Sequence, residues 1–136
     1  MIKKTIIALG LALTSQAAVA DIAVIVNAQN GATVDENTIK KLFLGKAKSF
    51  ADGSSATPVN QDATTLFDEF NDKVIGKSSS QLNAHWSKLV FTGKGTPPKK
   101  LANDQAVLEF VSSNANAIGY VDAAAVNSKV KVVASY

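Results

Sequence analysis

Two stretches of the sequence decide the fold: KLFLGK at residues 41–46 and AIGYVD at residues 117–122. In the first, apolar residues recur at helical spacing, and Gly45 after them predicts the end of a helix. In the second, an apolar run predicts a buried strand. Between them lie TPVNQ at residues 57–61 and LVFTGKG at residues 89–95. The order of the four blocks along the chain is thus KLFLGK, TPVNQ, LVFTGKG and AIGYVD.

Working outward from these blocks, the sequence predicts an α/β fold, in which helices pack on a small mixed β-sheet. The uninterrupted apolar run at residues 22–26 predicts a central strand of the parallel type, covered on both faces. The remaining predicted elements are strands at residues 56–60, 117–121 and 130–133 and helices that begin near Asp35, Thr64, Ser78 and Asn103 or Asp104. The predicted order is β-α-β-α-α-α-β-β, and residues 93–98 are expected to be a turn-rich link.

The helix after Ser78 has the clearest local pattern. Ser78 and Gln81, three residues later, form a capping box. An apolar stripe at helical spacing follows and is expected to be buried along its whole length. The stripe consists of Leu82, Trp86, Leu89 and Val90.

The four blocks resemble the phosphate-type periplasmic substrate-binding proteins of ABC transporters. The similarity is to the second lobe of such a protein, where a strand, an I-F-L-G-K helix, a strand with the anion loop, a G-K-G turn and A-I-G-Y-V follow one another. It covers nearly all of the chain after residue 20, and it implies one domain at residues 21–136, a single lobe of a type II periplasmic-binding-protein-like fold. The sequence contains neither the first lobe nor any arginine.

A signal peptide is predicted at residues 1–20. Two lysines form a basic start, an uncharged apolar run follows at residues 6–13, and Ala18-Val19-Ala20 is a small-x-small cleavage site. The apolar run is much shorter than the roughly 20 residues that a membrane-spanning helix needs. The predicted location is therefore periplasmic or secreted, with no membrane span in the mature chain.

Charge and composition exclude several classes of function. Without the two lysines of the signal peptide, the net charge falls from +3 to +1, which gives no electrostatic argument for binding nucleic acid. The sequence has no cysteine and a single histidine, so zinc sites, thiol nucleophiles and catalytic triads lack the residues that they need. His85 is expected to be an ordinary boundary residue. We therefore predict no enzymatic activity, no metal and no cofactor.

The resemblance implies an anion site at the end of the strand at residues 56–60. In the family, an Arg-x-x-x-Ser-Gly-Thr loop holds phosphate there with backbone amides, hydroxyls and a guanidinium group. The arginine is replaced here by Asn60 or Gln61, the glycine is missing, and Asp62 brings a negative charge to the anion position. The predicted ligand-binding residues are Asn60, Gln61, Thr64 and Thr65. The favoured alternative is that residues 62–65 simply cap the next helix.

Two functions are compatible with these residues. One is a substrate-binding-protein-like domain that binds phosphate or another small anion at most weakly, since a single lobe encloses only half of a ligand. A partner protein would then supply the second lobe. The other is a ligand-free secreted module for protein interaction or structure that retains the lobe fold. The two threonines favour the first function, whereas the absent arginine and Asp62 favour the second.

Export from a Gram-negative host should remove residues 1–20, because the small-x-small pattern ends at Ala20. Intact-mass spectrometry of the exported protein should give a chain that begins at Asp21. Replacing Ala18 and Ala20 by leucine should leave the precursor uncleaved. Exported wild-type protein that retains Met1 would contradict this prediction.

Overall fold

The computed structural model describes residues 21–62 and 64–136, so the predicted signal peptide lies outside the described residues. One sheet is covered by helices on both faces, which confirms the predicted α/β class. Its strands are β1 (Ile22–Asn27), β2 (Thr57–Gln61), β3 (Lys99–Leu101), β4 (Ala117–Asp122) and β5 (Val130–Ser135). The helices are α1 (Glu36–Phe43), α2 (Thr65–Phe70), which a π-helical turn (Asn71–Ile75) continues, α3 (Ser79–Phe91) and α4 (Asp104–Ser113). Within this part of the chain, no helix is both long and apolar enough to cross a membrane.

The sheet is mixed, with the strand order β3-β2-β4-β1-β5. Strand β2 runs parallel to β3 and β4, whereas β1 is antiparallel to both of its neighbours. The predicted central position of β1 and its burial on both faces are confirmed, but the predicted parallel pairing is wrong. An uninterrupted apolar run indicates that both faces are covered and does not fix the direction of the neighbouring strands.

Strand β3 was not predicted, because its sequence is polar. Lys99 and Lys100 are exposed, and only Leu101 is partly buried. The strand lies at the edge of the sheet, where it pairs with β2 alone. An edge strand of three residues has too few buried side chains to give an alternating apolar pattern.

The helix starts agree with the capping predictions. Asp35, Thr64, Ser78 and Asn103 each accept a hydrogen bond from the backbone N–H three residues later. The predicted capping box at Ser78 is present in full. These side chains satisfy N–H groups that have no partner inside the helix, so each helix begins where the local sequence specifies.

Two apolar layers hold the sheet between the helices. On one face, α1, α2 and α3 pack on side chains of β1 and β4, and Phe43, Phe70 and Tyr120 are in mutual aromatic contact. The rings of Phe70 and Tyr120 are stacked at 3.8 Å between centroids. On the other face, α4 alone packs on β1, β2 and β4.

The apolar stripe of α3 is buried only over its first turns. Leu82 and Trp86 belong to the core, and Leu89 packs on its margin. Val90 is 53% exposed and Phe91 is 93% exposed. The prediction of burial along the whole stripe is therefore wrong at its C-terminal end, since the core does not extend as far as the last turn of the helix.

Gly119 allows α4 to approach the sheet closely. A Cβ atom at this position would lie 2.8 Å from Cγ1 of Val107 and 3.0 Å from Cγ2 of Val59. Valine side chains have little freedom to move away, because both methyl groups are carried on Cβ. The glycine in the AIGYVD block thus sets the distance between α4 and β4.

Gly119→Ala should lower the free energy of unfolding by about 1–3 kcal/mol, because the added methyl group overpacks the layer between α4 and the sheet. Urea denaturation measures the change. Gly31→Ala is the matched control, since a Cβ atom there meets nothing within 4 Å, and its effect should stay within about 0.5 kcal/mol. Equal stability of the two variants would show that the close approach is absent.

Candidate functional site

The predicted ligand residues at the end of β2 are engaged in the interior of the protein. Asn60 and Gln61 are both buried. The hydroxyl of Tyr120 donates to Oδ1 of Asn60 at 2.9 Å and accepts the backbone N–H of Gln61 at 3.2 Å. Burial raises the pKa of Tyr120 above its ordinary value, so the hydroxyl stays protonated at neutral pH and makes both hydrogen bonds.

The side-chain amide of Gln61 is also fully used. Its Nε2 donates to Oδ1 of Asp104 at 2.5 Å and to the backbone carbonyl of Tyr120 at 3.1 Å. Its Oε1 accepts a hydrogen bond from Oγ1 of Thr64 at 3.1 Å. Both hydrogens of an amide nitrogen are thereby occupied, so Gln61 has no donor left for an anion.

Thr64 is the N-cap of α2, as the favoured alternative in the sequence predicted. Its Oγ1 accepts the backbone N–H of Phe67 at 3.1 Å while it donates to Gln61. Thr65 is the first residue of α2 and is exposed. Of the four predicted ligand residues, Thr65 alone presents an exposed side chain.

Gln61, Thr64 and Thr65 lie together in a cleft of about 400 Å³, whereas Asn60 lines a different depression on the side of α3. Among the described residues, no lysine lines the cleft, and four carboxylates do, from Asp21, Glu69, Asp104 and Asp122. Asp62, which was expected to bring the negative charge, is not among the lining residues. Glu69 follows Thr65 on α2, but sequence reasoning could not bring Asp21, Asp104 and Asp122 to it, because they come from segments far apart in the chain.

These carboxylates decide what the cleft can hold. A unit charge 4 Å away interacts by about 1 kcal/mol in bulk water and by about 4 kcal/mol near a protein surface. The N-terminus of a helix favours an anion by only about 0.3–1 kcal/mol at an exposed position. The lining carboxylates therefore oppose the attraction of the α2 N-terminus, and Lys73, whose Nζ lies 3.9 Å from Oδ2 of Asp21, offsets only part of their charge.

His85 has a partner, although it is not part of this cleft. Its Nε2 lies 2.9 Å from the backbone carbonyl of Leu44, the residue that ends α1. The ring is half-buried, and its contact with Leu44 links the C-terminal end of α1 to α3. This contact agrees with the expected boundary position.

Comparison with solved structures identifies the fold. The chain superposes on a protein from Clostridium perfringens assigned as a phosphate ABC transporter substrate-binding protein, solved with bound phosphate, with a TM-score of 0.66 and 19% identity over 84% of this chain. An ABC-type phosphate transport receptor from Vibrio cholerae superposes with a TM-score of 0.63 and 14% identity over 84% of this chain. PstS from Borrelia burgdorferi superposes with a TM-score of 0.58 and 14% identity over 76% of this chain.

The resemblance to phosphate-type substrate-binding proteins is thus confirmed at the level of the fold. The chain covers 44%, 45% and 41% of these three proteins, which is less than half of each. No protein-family model matches the sequence. No curated protein matches it either.

Tyr120→Phe should lower the free energy of unfolding by about 1–3 kcal/mol, because it leaves Oδ1 of Asn60 and the N–H of Gln61 buried without their partner. Chemical denaturation followed by circular dichroism measures the loss. Tyr136→Phe is the control, since Tyr136 is only partly buried. If both variants match the wild-type protein in stability, the hydrogen bonds around Tyr120 contribute nothing.

Proposed function

We propose that this protein is a periplasmic or secreted, non-enzymatic interaction module that has the fold of a phosphate-type substrate-binding lobe and does not capture phosphate in the cleft at the end of β2. The observation that carries this proposal is the chemistry of that cleft. Four carboxylates line it, of which that of Asp21 is paired with Lys73 at 3.9 Å, and no lysine is among the lining residues that the structure describes. Asn60, Gln61 and Thr64 are hydrogen-bonded inside the protein.

The alternative function, weak binding of phosphate or another small anion, has less support. Thr65, the side-chain amide of Asn103 and the first N–H groups of α2 are the groups that remain for an anion. A helix N-terminus binds phosphate well when a cation or several free amides assist it. The charged residues that line the cleft in the described chain are all carboxylates, so no lining cation assists the N-terminus of α2.

Calorimetry with inorganic phosphate at pH 7 and low salt should give no saturable binding up to about 10 mM, so any binding free energy should be smaller in magnitude than about 2.7 kcal/mol. Thermal-shift measurements with phosphate, sulfate and acetate should show no stabilisation, because a ligand of the folded state must raise its stability. A dissociation constant in the micromolar range that Thr65→Ala weakens would overturn the proposal and restore anion capture.

A charge-reversed variant tests the physical reason. Glu69→Lys combined with Asp122→Lys should create millimolar affinity for phosphate, because it replaces two repulsive charges in the cleft by two attractive ones. Glu109→Lys with Asp52→Lys makes the same change in net charge on exposed residues that do not line the cleft. Equal phosphate affinity of the two double variants would mean that the cleft charges do not control binding.

A further inference from the structure

A second surface, on the side of α3, differs from the acidic cleft in charge and polarity. Two adjoining depressions of about 480 and 700 Å³ share four wall residues, Trp86, Val90, Pro97 and Pro98. We call this surface the Trp86 groove. Phe91, at the end of α3, lies on its rim and is 93% exposed. An aromatic side chain exposed beside an apolar groove is typical of an interaction site.

The charges around the Trp86 groove are all positive. The lysines that line it are Lys48, Lys94, Lys99 and Lys100, and no Asp or Glu is among its lining residues. The single ion pair within the described residues joins Lys73 to Asp21, away from the groove. The ammonium groups of Lys99 and Lys100 lie over the rings of Phe110 and Phe67, at 5.6 and 5.2 Å from the centroids. These two cations are therefore held on either side of β3 without a carboxylate partner in the described chain.

Strand β3 also leaves backbone groups open at the edge of the sheet. The carbonyl of Leu101 accepts the N–H of Asp62 at 2.8 Å, so the backbone groups of Leu101 face β2. Because these groups alternate in direction along a strand, the N–H and carbonyl of Lys100 point away from β2. An extended peptide that binds at an edge strand uses such groups.

Trp86 itself lacks one partner. Its indole Nε1 is buried and has no hydrogen-bond acceptor within the described residues. Its benzene end packs against two glycines, since a Cβ atom at Gly45 would lie 2.6 Å from Cη2 and one at Gly95 would lie 3.2 Å from Cζ3. These close contacts limit the movement of the ring.

We infer that the Trp86 groove binds an extended segment of a partner protein in which acidic residues alternate with aliphatic or aromatic ones. The segment adds to the edge of β3. Its apolar side chains enter the groove beside Trp86 and Phe91, on the face of Lys100, and its carboxylates lie on the opposite face, beside Lys99. This inference rests on the proposed function, because it names the surface and the partner class of the interaction module.

A second copy of the chain fits the groove less well. A symmetric contact through the same surface would place Lys94, Lys99 and Lys100 of one copy opposite those of the other, and like charges opposed across an interface weaken it. The acidic cleft of another copy supplies carboxylates, but Leu66 is the one large apolar side chain among its lining residues. An acidic and apolar peptide satisfies both the charge and the shape.

The test uses a panel of heptapeptides in which Asp or Glu alternates with Leu, Val or Phe, and a matched panel with Lys at the acidic positions. Trp86 is the one tryptophan of the chain, so its fluorescence reports occupation of the groove by tryptophan-free peptides. At least one acidic peptide should bind with a dissociation constant below 1 mM. Raising the salt concentration from 50 to 500 mM should weaken this binding several-fold.

Charge-reversed variants locate the site. Lys99→Glu with Lys100→Glu should weaken binding of the acidic peptide at least tenfold. Phe91→Ser should also weaken this binding, without lowering the stability of the folded protein. Lys129→Glu with Lys131→Glu is the matched control, since both lysines are exposed and lie at β5, on the opposite edge of the sheet. Equal losses of peptide affinity in the two double variants would show that the peptide does not bind beside Lys99 and Lys100.

The remaining outcomes are also decisive. The inference is wrong if no acidic peptide binds, if the lysine panel or a single-stranded oligonucleotide binds as tightly, or if sedimentation shows a dimer that Phe91→Ser dissociates. Phosphate titration of the same samples keeps the two proposals apart. Phosphate binding in the cleft would contradict the proposed function, whereas peptide binding that Lys99→Glu with Lys100→Glu leaves unchanged would contradict the groove alone.

Discussion

The hydroxyl of Tyr120 is the contact on which the centre of this structure depends. It reaches from β4 to the end of β2, where it donates to Asn60 and accepts from Gln61. Gln61 then contacts Asp104 at the start of α4 and Thr64 at the start of α2. A buried polar network of this kind is stable only when every member has a partner. The same completeness removes these side chains from ligand chemistry.

The net charge of the chain conceals how its charges are arranged. Carboxylates gather around the cleft at the end of β2, and lysines gather around the Trp86 groove. Because the two groups nearly cancel, composition predicts a surface without electrostatic preference. The folded protein instead has one acidic and one basic surface, which favour ligands of opposite charge. The electrostatic preference of each surface therefore depends on where the charges lie, which the net charge does not reveal.

Local features of the fold could be predicted from the sequence, and features that depend on distant segments could not. Asp35, Ser78 and Asn103 mark helix starts because a cap acts within three residues. The antiparallel pairing of β1 was missed, since it depends on a strand almost 100 residues later. Sequence predicted that Thr64 and Thr65 share a loop, but three of the carboxylates around them, Asp21, Asp104 and Asp122, come from distant segments. The exposure of Val90 was missed because it depends on where the core ends.

The blocks that carry the resemblance to substrate-binding proteins prove to be packing motifs. Gly45 of KLFLGK and Gly95 of the GKG turn both lie against the ring of Trp86, and Gly119 of AIGYVD lies against Val107 of α4. A Cβ atom would come within 2.6 Å of a neighbouring side chain at Gly45 and 2.8 Å at Gly119, whereas at Gly95 it would make a tight contact of 3.2 Å. None of the three lines the cleft at the end of β2. Because a fold can host unrelated functions, these glycines account for close packing within the fold and do not by themselves specify a function.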